Sequence, residues 1–62
     1  MLAPIFALVD SADARVAHQP EQLAPLVLNW FKNSMEALEA AQQDGAVVVY
    51  RVMPDYSFER IG

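Results

Sequence analysis

Apolar residues recur along this chain in two rhythms, and each rhythm predicts an element. From Pro4 to Val9 the run is apolar on both alternating faces, with Ile5, Ala7 and Val9 on one and Phe6 and Leu8 on the other. A short stretch apolar on both sides reads as a central β-strand. Ala46 to Met53 shows the same pattern more strongly, because Val47, Val48, Val49, Tyr50 and Val52 are β-branched or aromatic. Pro54-Asp55 interrupts it, and Tyr56 to Ile61 can resume as a short terminal strand. Between the first two of these, Asp10-Ser11-Ala12-Asp13 reads as a turn, since Asp and Ser side chains bond their own backbone there. Ala14 to Gln19 is then expected as a polar return strand at a sheet edge.

The second rhythm is helical. Pro20 and Pro25 are tolerated in a first helical turn, whose N–H groups lack intrahelical partners. From Leu26 the composition favours helix until Asp44-Gly45, where glycine supplies a C-terminal cap, so one long helix is predicted over residues 26–43. At about 100° per residue, Asn29, Lys32, Asn33, Glu36, Glu39 and Gln43 fall into one polar sector. Leu23, Val27, Trp30, Ala37, Leu38 and Ala41 centre the apolar arc, which Leu28, Phe31 and Met35 widen to roughly 200°, more than one packed face requires.

Together these elements predict an α+β fold: a β-β-α-β domain with one long helix on a mainly antiparallel sheet. The sheet has three strands, or four if the terminal segment joins. A right-handed crossover would place the first strand between the other two, in the order 2-1-3. One helix then shields one face and leaves the other open. The expected contact residues are the helix flank Leu28, Phe31 and Met35, with Val48, Tyr50 and Val52 on the open sheet face as the competing surface. Burial of Phe31 at an interface would contribute about 1.5–3 kcal/mol, so Phe31→Glu is expected to dissociate an assembly while the domain stays folded.

Composition narrows the functions available. A chain of 62 residues forms one domain at most. One this short buries only roughly 60% of the surface its unfolded form exposes. It has no cysteine, which removes disulfides, zinc–thiolate sites and cysteine nucleophiles as sources of stability or chemistry. Association is the remaining support. Eight acidic against four basic residues give a formal charge of −4, which repels phosphate backbones and argues against nucleic acid as a direct ligand. The apolar start, Met1 to Val9, has no basic n-region and is broken by Pro4. No segment reaches membrane-spanning length, so a soluble, cytoplasmic chain without a membrane partner is expected.

The candidate chemistry is sparse. His18 is the one histidine and has no neighbouring nucleophile motif, so a solvated edge position accounts for it. Asp10 and Asp13 lack the further oxygen ligands of a calcium loop. Glu36 and Glu39 share a helix face, but no second helix supplies a Glu-x-x-His partner. Tyr50, Arg51, Tyr56, Phe58 and Arg60 offer the aromatic and basic mixture of RNA-stacking sheets, yet two arginines do not make a basic groove.

The run Pro4-Ile5-Phe6 resembles the start of tautomerases of comparable length, which use an amino-terminal proline as general base. That resemblance implies a catalytic Pro4, but Met1-Leu2-Ala3 precede it and make its nitrogen an amide. The expectation is therefore a non-enzymatic interaction domain without metal or cofactor. It would act as a regulator or inhibitor by binding a partner protein, itself as a homodimer, or both. One sub-case is an inhibitor seated on the basic surface of a nucleic-acid-binding protein, as small proteins of mobile elements often are. The reading from a different class is a small-molecule-binding module or minimal enzyme whose pocket forms between subunits.

Overall fold

The structure, a computed structural model, describes residues 5–62. Pro4, and with it the proline of the tautomerase comparison and the start of the first expected strand, lies outside the described residues. The elements run β1 (Ile5–Asp10), α1 (Ser11–Val16), α2 (Pro20–Leu23), a 3₁₀ turn (Ala24–Leu26), β2 (Val27–Phe31), α3 (Ser34–Gln43), β3 (Val47–Val52) and β4 (Phe58–Arg60). The four strands form one antiparallel sheet in the order β2-β1-β3-β4. This is a small α+β domain. The two runs that are apolar on both faces became β1 and β3, paired side by side at the centre from Ile5↔Val52 to Asp10↔Val47.

The single long helix over residues 26–43 does not form. Its first third is strand β2, paired with β1 as Phe6↔Phe31, Ala7↔Trp30 and Leu8↔Asn29. Only the last ten residues, Ser34–Gln43, are α3. Asn33 starts that helix by accepting the Met35 N–H at 2.8 Å on its side-chain oxygen. The expected return strand over residues 14–19 does not form either: residues 14–16 belong to helix α1 and 17–19 lead into α2. Asp10 accepts the Ala12 N–H at 2.9 Å, the bond foreseen for a turn, but here that bond caps a helix.

These two changes alter the layering. β2 and β3 flank β1 and run parallel to each other, joined by α3 across one face. The α1–α2 connection crosses the opposite face. On the α3 side Leu8, Val49 and Ala37 form a buried cluster, with Phe6, Phe31, Ala40 and Ala41 packed around it. On the other side Val9, Ala17, Leu23, Val48 and Tyr50 are buried, with Ala14, Leu26, Val27 and Phe58 around them. The sheet expected to be half-covered is covered on both faces. The core is thin: among the described residues the largest fully buried side chains are Val9 and Val49.

Because α3 is held to this thin core largely by alanines, its N-cap should matter. Asn33→Ala is expected to lower stability by about 1 kcal/mol, and Asn33→Asp to restore most of it, read as a shift of the urea midpoint at unchanged slope.

Candidate interaction surface

Strand register places one apolar row across the sheet on its α2 side. Trp30 of β2 lies opposite Ala7, Ile5 of β1 opposite Val52 of β3, and Val52 opposite Phe58 of β4. α1 and the 3₁₀ turn cover the other end of this face, but here the cover stops. Pro20, Glu21 and Ala24 form one wall and Tyr56 the other, leaving an open groove of about 420 Å³. Among the described residues that line it, Glu21 is the one charged side chain. Trp30 is 46% exposed and Tyr56 76%, values that leave large aromatic surface unburied at the groove's edge.

The wall at Tyr56 is built by the loop between β3 and β4. The Tyr56 N–H donates to the Met53 carbonyl at 2.8 Å, and the Met53 N–H donates to the Ser57 carbonyl at 3.0 Å. Asp55 accepts both the Ser57 N–H, at 3.0 Å, and the Ser57 hydroxyl, at 2.6 Å. Tyr56 itself sits at φ 68°, the left-handed region that costs a bulky residue about 1–2 kcal/mol. The loop's hydrogen bonds hold an aromatic ring out at a position that glycine or asparagine would occupy more easily. Below it, Phe58 is fixed edge-on against Tyr50, with centroids 5.8 Å apart and planes at 70°.

Those Ser57 bonds hold the Asp55 carboxyl below its ordinary value of 3.8. A depressed carboxyl stabilises the folded loop above its unfolded pKa, and that contribution is lost as pH falls through the folded pKa. An NMR titration should therefore place the Asp55 midpoint below 3.8, with the Ser57 amide moving at the same pH. A midpoint above the ordinary value would contradict this loop geometry.

The residues expected at a contact surface are dispersed. Leu28 and Phe31 lie on β2 and Met35 on α3, so they do not form one helix flank. Leu28 is 60% exposed and Met35 68%, while Phe31 packs against the core cluster beneath α3. Val48 and Tyr50 are buried under the α1–α2 connection, and Val52 is buried in the groove floor. Ile5, Trp30, Tyr56 and Phe58 were missed as a group, because only cross-strand register brings them together. Their one local signal was the aromatic content of the two flanking segments.

The chemical candidates stay apart. The His18 N–H donates to Gln22 Oε1 at 3.1 Å and its side chain is exposed. Among the described residues no three His, Cys, Asp or Glu side chains gather as metal ligands. Arg51 pairs with Glu59 at 3.0 Å on the sheet face opposite Tyr50 and Phe58, while Arg60 lies opposite Tyr50 on the aromatic face, so one of the two arginines is removed from that surface. Among the described residues no helix is long and apolar enough to cross a membrane. Comparisons with family models, with curated proteins and with solved structures each returned no match to this chain.

Proposed function

We propose that this chain is a non-enzymatic interaction domain that regulates or inhibits a partner protein by receiving part of it in the groove beside Trp30. The observation that supports the reading is the groove itself: apolar side chains from all four strands and α2 converge on it, and the chain's own helices leave it uncovered. Apolar recesses flanked by exposed aromatic side chains are surfaces at which other molecules dock. The formal charge of −4 and Glu21 at the wall favour a basic partner surface, through faster encounter and exclusion of acidic competitors. The basic face of a nucleic-acid-binding protein has this character.

Two variants with the same change in net charge test the location. Glu21→Lys should reduce capture of a basic protein from host extract, whereas Glu39→Lys, on the exposed side of α3, should leave it unchanged. Equal loss in both would reduce the effect to net charge and remove the groove from the argument. A metabolite recovered from the purified protein and lost with Glu21→Lys would favour the small-molecule reading instead.

A further inference from the structure

The two edges of the sheet are finished differently. β4 is three residues long, carries Glu59 and Arg60, and is tied to β3 by the Arg51–Glu59 ion pair. Short length and charge are the usual protections of a sheet edge. β2 has neither: its five residues, Val27-Leu28-Asn29-Trp30-Phe31, contain no charge and no proline. Among the described residues no strand pairs its outer side.

In an antiparallel pair alternate residues turn their N–H and C=O away from the neighbour. The Trp30 N–H is one of these, and it donates to Oδ1 of the adjacent Asn29 at 2.9 Å. The same residue's ring borders the groove, so an unpaired backbone edge and an apolar recess meet at one position.

We infer that an extended basic segment of a partner protein adds to the sheet as a fifth strand along the outer edge of β2 and turns one apolar side chain over Trp30 into the near end of the groove. This rests on the interaction reading above and specifies its geometry. Backbone bonds to β2 supply register, and alternate side chains point toward the groove. Asn29 releases the Trp30 N–H when the incoming carbonyl replaces it. The occupant's charge follows from complementarity. A second copy of this chain would bring −4 against −4, whereas Lys or Arg beside the apolar anchor meets Glu21 and the net negative field.

A random twelve-residue peptide library displayed on phage tests this without presupposing a sequence. It would be selected on the immobilised wild-type chain and counter-selected on Trp30→Thr. The expected consensus alternates apolar and polar residues, carries an excess of Lys and Arg, and contains no proline within the alternating stretch. The synthetic consensus peptide should shift the amide resonances of Leu28 and Trp30 most, and those of Ile5 less. N-methylation of its β2-facing amides should weaken binding at least tenfold, and so should exchange of its Lys and Arg for Glu. Both changes are made in the peptide, so neither outcome depends on the folding of a variant. Groove binding that N-methylation leaves unchanged overturns strand addition and keeps the groove reading. A consensus of helical spacing, an acidic consensus, or β2 amides already protected in a dimer without peptide would also overturn strand addition. Failure to enrich any peptide overturns both.

Discussion

Phe31→Glu is expected to unfold the domain. Phe31 lies opposite Phe6 on the sheet face covered by α3 and packs against the Leu8, Ala37 and Val49 cluster. Loss of a packed phenylalanine costs about 3–5 kcal/mol when fully buried, and partial exposure of this one lowers the figure toward about 3. Placing a carboxylate against that apolar cluster adds a desolvation cost. A folded domain retains about 0.05–0.15 kcal/mol per residue, so a chain of 62 residues has little margin for such a loss. Far-UV circular dichroism and urea titration should show a largely unfolded variant, while Phe31→Leu should remain folded with a loss under about 1.5 kcal/mol. A folded Phe31→Glu protein that had lost only its assembly or its partner would restore Phe31 to an interface and contradict the packing described.

Trp30→Lys should have the opposite signature, an intact fold with binding lost. Nearly half of the Trp30 surface is already exposed, so the free domain gives up little by losing it. A partner seated in the groove would cover the remainder. Tryptophan at the centre of such a contact is worth about 2 kcal/mol or more on truncation, equivalent to a loss of roughly 30-fold in affinity. The added lysine also repels a basic occupant, which deepens the loss. Met35→Lys, an exposed change on α3, should leave affinity unchanged. Trp30 is the chain's one tryptophan, so the wild-type protein carries its own reporter: groove occupation should shift its fluorescence to the blue. Saturation of the partner without that shift would place the contact elsewhere.

The misplaced helix boundary explains why Leu28, Phe31 and Met35 do not share one helix flank. The segment Val27-Leu28-Asn29-Trp30-Phe31 has one polar residue among four large apolar ones, a pattern compatible with either period. Joined to the ten residues of α3, its side chains widened the apparent apolar arc to roughly 200°. The excess arose from superposing a strand on a helix, and it did not mark a free flank. A local signal for the boundary was present in Asn33-Ser34-Met35-Glu36, which has the Asn-x-x-Glu spacing of a helix start. The prolines at 20 and 25 likewise mark a short helix and a 3₁₀ turn before β2, where a single helical entrance was expected.

By itself, the sequence determined the α+β class, the central strands β1 and β3, and the helical character of residues 34–43. Runs apolar on both faces must be buried on both faces, and an Ala- and Glu-rich stretch after an N-cap favours helix whatever surrounds it. Tertiary structure decided the state of residues 27–31. Their β-branched and aromatic side chains gain more from the open edge of β1, with Phe31 under α3 and Trp30 on the other face, than from extending a helix. It also decided that residues 11–16 become helix, since Val9 and Val48 need a cover on the face that α3 does not reach. The groove follows from both decisions. Ile5, Trp30 and the Val52–Phe58 hairpin lie far apart along the chain and share a surface only because four strands take this order and register.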